Sequence, residues 1–194
     1  DSLLARVAFV AELPSAFDGA WDVHRTIMEA EAALSIGAGI DLCDPGFSDI
    51  LRALMERGRA ISRDQLAEAR GKQAALREAF ARHIGPFDAL LTPAVTGEAP
   101  LAALSTGSPV FCTLWSLLGV PAITLPLLTG ANGLPVGVQL VGAFGGDETL
   151  LSAAAWLCRR LGRYDLLSED TSGPAAPAAA KGDALVFKNA RNNV

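Results

Sequence analysis

The stretch STGSPVFCTLWSLLGVPAITLPLLTGANGLPVGVQLVG, Ser105 to Gly142, carries its own punctuation. Ser108-Pro109 sets a capping residue before a proline at the first helical position, where the missing N–H is harmless and the fixed φ is already helical. The apolar run Val110 to Leu118 is therefore expected to form a buried helix, closed at Gly119 by a residue free to turn left-handed. Ala122 to Leu127 and Val136 to Gly142 are rich in strand formers, and the loop between them contains Asn132-Gly133, a strong turn dipeptide. The two segments are expected to lie side by side as antiparallel strands.

Working upstream, Phe87 to Thr92 (FDALLT) is short and apolar, as expected of a buried strand that empties into the small, polar loop from Pro93 to Gly107. Gly85-Pro86 ends the preceding helix. That helix opens at a capping box, Ser62 with Gln65, and runs to about Ile84 with Leu66, Ala69, Leu76 and Phe80 inward and its charges on a solvated face. Asp49 to Arg57 reads as a short helix stopped at Gly58, and Gly37 to Gly46 as a loop. Between Ala20 and Ile36, Val23, Ile27, Ala30 and Leu34 recur at helical spacing and leave His24, Arg25, Glu29 and Glu31 off the apolar stripe. Leu3 to Leu13 suits a short strand or an edge segment. Downstream, Asp147 to Leu161 forms a helical pattern with Leu150, Leu151, Ala154, Leu157, Cys158 and Leu161 on its apolar side and Gly162 as its stop. Interleaved helices and strands predict an α/β fold, a layered sheet flanked by helices. Residues 1–168 read as one domain, and 169–194, aperiodic and rich in Ala, Pro and Gly, as a disordered tail.

The 194 residues are 51% hydrophobic and 19% charged, against a typical charged share of about 25%, so either burial is extensive or a partner surface exists. With net charge −5 and dispersed Lys and Arg, no basic stripe for nucleic acid is present. The apolar stretches break well short of the roughly 18 residues of a membrane span, so neither nucleic acid nor membrane is an expected partner. Cys43, Cys112 and Cys158 are odd in number, far apart and without CxxC spacing. That argues against a zinc site and a disulfide framework and fits a reducing cytoplasm. A start at Asp1 without an initiating Met reads as a cut within a longer protein.

Composition and spacing yield little chemistry. There is no G-x-S-x-G elbow. His24 lies on the polar side of a helix and His83 near a helix C-terminus, where a cation suits the dipole. Glu29 and Glu31 are two apart on a helix and point in different directions. Gly37-Ala38-Gly39 lacks the third glycine of a dinucleotide fingerprint, and Gly145-Gly146-Asp147 reads as a turn with an Asp cap.

A specific resemblance goes further. Gly119, Pro121, Ala122, Ile123 and Pro126, then Gly133, Leu134, Pro135, Gly137, Gln139 and Gly142, stand in this order. They resemble the carboxy-terminal block of the amidase-signature family, in which a polar loop with a Gly-Asp-Pro-like step leads to a helix, a G-x-P-A-I-x-x-P strand and a Gly-Leu-Pro-x-Gly-x-Gln-x-x-Gly strand. Glu12-Leu13-Pro14 with Phe17, His24 to Ile27 with Glu29, Leu90 to Pro93 and the helix from Asp147 extend the similarity over roughly Val7 to Leu161. The resemblance implies the C-terminal portion of an amidase-signature fold, a mixed β-sheet flanked by helices. It implies hydrolysis of a small linear carboxamide to carboxylate and ammonia, with no metal or organic cofactor, through a Ser, cis-Ser, Lys triad and a Gly-rich oxyanion hole.

Those catalytic groups belong to the family's amino-terminal half. The present chain has no adjacent serines, and its lysines are Lys72 on a charged helix face and Lys181 and Lys188 near the C-terminus. No catalytic residue is carried over. The chain alone is expected to be inactive, with the missing N-terminal half of the same protein and a small-molecule amide as partners and homodimer formation open. The resemblance places the loop after Leu91 and the start of the 109–118 helix near the acyl pocket, which makes Thr92, Thr106, Ser108, Cys112 and Trp115 the substrate-binding candidates. Ordinary packing or capping is the alternative for each, Cys112 as a small core residue and Ser108 as the cap. Ser108 stands where relatives often have Asp. Two other readings stand beside the amidase: an amidotransferase subunit of the same family acting on acylated tRNA, and a non-catalytic partner-binding domain that kept the fold.

Overall fold

A computed structural model of the chain describes residues 8–39, 41, 46–101, 106–163, 166 and 184–187. These residues divide into two compact units, a helical one within residues 15–78 and a sheet unit drawn from the residues on either side.

In the helical unit, α1 (Ala20–Ser35) packs on α2 (Asp49–Ala60). α1 buries Ala20, Val23, Ile27, Ala30 and Ala33, a stripe at three- and four-residue spacing. Leu34, expected on that stripe, is 68% exposed, one position round the helix from Ala33. Glu29, expected on the polar side, is buried instead. Its Oε1 accepts from both Arg57 Nε (2.8 Å) and Nη2 (2.7 Å), the partner that a carboxylate withdrawn from water requires. Glu31 turns elsewhere, to Arg70 at 3.0 Å.

Gly58 does not stop α2 but lies inside it, buried. A Cβ there would sit 2.1 Å from the Glu29 carbonyl oxygen and 2.8 Å from the Ala33 Cβ, so this glycine is dictated by the close approach of α1. The start of α2 is capped by Ser48, whose Oγ accepts from Leu51 N–H at 3.3 Å. α3 (Arg63–Ile84) opens at the expected capping box: Ser62 N–H donates to Gln65 Oε1 at 2.8 Å, and Gln65 N–H to Ser62 Oγ at 3.2 Å.

The sheet unit holds β1 (Ala8–Ala11), β2 (Leu90–Pro93), α4 (Thr113–Leu118), β3 (Ala122–Thr129), β4 (Pro135–Val141), α5 (Asp147–Arg160) and β5 (Ala184–Phe187). The strands form one mixed sheet in the order β1-β5-β2-β4-β3. β5 runs parallel to both β1 and β2, while β2–β4 and β4–β3 are antiparallel. Of the segment expected to be an aperiodic tail, 169–194, only Ala184–Phe187 lie within the described residues, and there the backbone is paired in the sheet. The β3–β4 connection is the expected turn, with Gly133 at φ +83°. β3 borders β4 alone among the described strands and carries Pro126, whose missing N–H suits an edge.

Strand alternation gives the sheet two faces. Leu91, Leu140, Leu125 and Val138 pack with Leu150, Ala154, Leu157 and Cys158 of α5 into one apolar core. Burying one such side chain contributes about 1.5–3 kcal/mol. Leu151, expected in that core, is 58% exposed. α5 ends at Gly162 (φ +69°) and α4 at Gly119 (φ +65°), both left-handed as expected. α4 is shorter than its apolar run: Val110 to Cys112 form a preceding turn, because Cys112 N–H (2.9 Å) and Thr113 N–H (3.0 Å) share the Pro109 carbonyl.

The two helical glycines give opposite expectations. Gly58→Ala lowers stability by about 1–3 kcal/mol, the cost of overpacking a filled contact. Gly71→Ala, in α3 with open space around its Cβ direction, raises it by roughly 0.5–1 kcal/mol. Urea unfolding of both variants followed by circular dichroism checks this, and equal midpoints would remove helix approach as the reason for Gly58.

Candidate functional site

The sheet face turned away from α5 carries Leu90 and Thr92 of β2 and Gln139 and Val141 of β4. Leu90 and Val141 are fully buried and apolar. Thr92 and Gln139 are buried polar residues directly opposite one another, and Thr92 Oγ1 donates to Gln139 Oε1 in a long bond of 3.4 Å. Thr124 of β3 continues the row on the other side of Gln139 and is exposed. A polar row thus crosses three strands and goes from buried to exposed along its length.

Just beyond β2 the chain is pinned twice. Ala94 N–H donates to the Gly137 carbonyl at 3.2 Å, and the Cys112 thiol lies 3.8 Å from the Ala94 carbonyl oxygen. Space is tight at Gly137, where a Cβ would fall 2.5 Å from Thr124 Cγ2 and 3.1 Å from Ala94 Cβ, so a larger residue would have to displace the threonine side chain. Cys112 is a free, exposed thiol at the start of α4 and not the core residue that the apolar run suggested. Trp115, one turn on, is buried and stacks at a tilt on Phe80 with ring centroids 5.7 Å apart. Its indole Nε1 is buried and donates to no acceptor among the described residues.

Ser108 caps a turn and not a helix. Its Oγ accepts from Val110 N–H at 3.4 Å, while α4 begins further along, after Cys112. Thr106 and Ser108 are both exposed in the loop before α4. Of the five candidates named from sequence, Thr92 and Cys112 are therefore brought to the same strand end, Trp115 lies one helical turn beyond Cys112, and Thr106 and Ser108 stay in the solvent-facing loop.

Sequence reasoning missed Glu98 inside the loop taken as merely small and polar. Its Oε1 accepts from Asn132 N–H (2.8 Å) and Leu134 N–H (3.1 Å), and its Oε2 from Asn132 Nδ2 (2.6 Å). A Cβ on Gly130 would fall 2.2–2.4 Å from the Glu98 side chain, so the turn also makes room for the carboxylate. Partial desolvation works to raise the Glu98 pKa, but the hydrogen bonds from the Asn132 side chain and the two backbone donors outweigh it and hold the carboxyl below its ordinary value. A lone carboxylate in a loop otherwise without charge was the available signal, and it named no partner.

Lys72 pairs with Glu68 at 2.7 Å on the exposed side of α3, and partial burial holds the His24 imidazole below its ordinary value, hence neutral at pH 7. No helix among the described residues is long and apolar enough to cross a membrane.

Residues 8–151 match the profile of the Amidase family. The chain belongs to the amidase signature family. A Mycobacterium leprae protein bearing the amidase name AmiC is 31% identical over 118 residues, which are 55% of this chain and 25% of that protein. A glutamyl-tRNA(Gln) amidotransferase subunit of Methylorubrum populi is 33% identical over 98 residues, 46% of this chain and 20% of that protein. In three dimensions the chain is similar to a crystal structure of an amidase, with a TM-score of 0.67 and 32% identity over 82% of this chain and 39% of that one. The fold is therefore part of the amidase-signature fold, and the match spans about a quarter of AmiC's length.

Because the folded Glu98 pKa lies below the unfolded one, the stabilisation it brings is complete above the unfolded value, near 4.5, and is lost as pH falls through the lower folded value. Backbone amide protection at Asn132 and Leu134 should stay level from pH 7 to about 5 and fall only in more acid solution. The Glu98→Gln variant should lack that acid limb. Hydrogen exchange corrected for intrinsic pH dependence measures it, and an acid limb that survives in the variant would assign it to another group.

Proposed function

We propose that this chain supplies one wall of the acyl pocket of an amide hydrolase, and that the protein carrying it converts a small linear carboxamide and water into a carboxylate and ammonia. The family match over residues 8–151 carries the reading. The buried Thr92–Gln139 pair supports the placing of the wall, since it sets hydrogen-bonding capacity at a strand end beside the buried, apolar Leu90 and Val141. Cys112, held at the Ala94 carbonyl just past Thr92, offers a small polarisable surface, and Trp115, one helical turn on, an indole N–H with no acceptor among the described residues.

In the proposed reaction a serine oxygen adds to the amide carbonyl and its proton passes through a second serine to a neutral lysine. The C–N bond then breaks, the proton goes to the departing nitrogen, and water cleaves the acyl ester to release the acid. Backbone N–H groups hold the oxyanion at each addition. We assign these serines, the lysine and the oxyanion donors to a part of the protein outside the 194 residues, because Lys72 is committed to Glu68 and the sequence holds no adjacent serines. This portion's task is to seat the acyl group.

A second reading, in which the protein is an amidotransferase component, is favoured by the 33% identity to the Methylorubrum populi protein. The test uses the natural protein that carries this chain. Ammonia release from acetamide, propionamide and benzamide is expected without any added protein or tRNA. Release from glutamine alone, and only with acylated tRNA present, would favour the second reading, and no release under either condition would sink both. In the active protein Thr92→Val should raise KM by about 2–10-fold, the effect of losing one hydrogen bond of roughly 0.5–1.5 kcal/mol, and should lower the melting temperature by several degrees, since the buried Gln139 Oε1 loses its donor.

A further inference from the structure

We infer that Glu98 is a positioning residue: it latches the loop that follows β2 onto the β3–β4 turn and so fixes the rim of the candidate acyl pocket. The inference rests on the amide-hydrolase reading of that site. The loop leaves β2 directly after Thr92 and Pro93, and its first residue is already fastened by Ala94 N–H to Gly137 and by the Cys112 thiol at the Ala94 carbonyl. Val95, Thr96 and Gly97, which follow, are exposed and make no described polar bond that would hold them. Four residues after Ala94, Glu98 ends that free span with three hydrogen bonds to Asn132 and Leu134. The span 95–97 is thus held at both ends, at one by the strand that bears Thr92 and at the other by a carboxylate.

The chemistry of the latch is polar in one direction only. Both Glu98 oxygens accept, and all three groups facing them donate. This gives a substitution cycle with opposite expectations. Asn132→Asp keeps turn chemistry, because Asp-Gly serves such a turn as well as Asn-Gly does, but it sets two carboxylates against one another. Adding Glu98→Gln restores every bond with one reversed: the Gln oxygen still accepts from the two backbone N–H groups, and its amide N–H donates to the new carboxylate. Glu98→Gln alone is tolerated, because the Asn132 amide can rotate to present its oxygen.

The experiment measures amide hydrogen exchange at residue 134 and steady-state kinetics on a carboxamide substrate, in the natural protein carrying this chain. Asn132→Asp should speed exchange at Leu134 at least tenfold and raise KM at least fivefold, with kcat within twofold and the melting temperature within a few degrees. The double variant should return exchange and KM to the parent's values. A general structural role would move kcat and melting temperature together with KM. Unchanged exchange in Asn132→Asp overturns the latch, and changed exchange with unchanged KM overturns its role at the pocket. An unmodified protein that hydrolyses no amide overturns the reading beneath both.

Discussion

The antiparallel pairing of β4 with β2 on one side and β3 on the other is the constraint from which the rest of the sheet unit follows. The register sets Leu140 opposite Leu91 and Ile123, and Gln139 opposite Thr92 and Thr124. Side chains alternate with period two, so a slip of one residue would send the leucine row away from α5 and bury the polar row beneath it. The core under α5 and the polar row on the opposite face are two consequences of one register. Three devices hold that register: the Asn132-Gly133 turn, the glycine at 137 that admits Thr124 and Ala94, and the Glu98 carboxylate on the turn backbone.

Much of this was legible because the signals are local. Gly119 and Gly162 end helices through a backbone conformation that few other residues adopt, and the Asn-Gly dipeptide announces a turn within a handful of residues. The capping box at Ser62 and Gln65 needs only a three-residue spacing. Family membership was legible for the same reason, since Gly119, Pro121, Gly133, Pro135, Gly137 and Gly142 are residues whose backbone chemistry is hard to replace.

What was not legible depends on partners distant in sequence. Gly58 looks like a helix stop until the Glu29 carbonyl, 29 residues earlier, is found where its Cβ would be. Periodicity alone placed Leu34 inward and Glu29 outward, yet a shift of one position round α1 buries Ala33 and lets Glu29 meet Arg57. Glu98 was invisible because its partners lie 34 and 36 residues on, across a hairpin whose tip had first to be folded. At Ser108 the residue types for a cap were present, but the helix began only after a separate turn around Pro109, so the serine serves that turn.

The candidate site inherits a division of labour from these supports. Thr92 and Gln139 stand on paired strands, where backbone hydrogen bonds and the core beneath leave little freedom, and such elements suit groups that must meet a ligand at fixed distance. Residues 95–97 lie on a loop held only at its ends, where a change of side chain costs the fold little. The loop can therefore accept changes of side chain that the paired strands would not. The Glu98 carboxylate, although it stands outside the paired strands, ties the far end of that loop to the β3–β4 turn and so links the two parts.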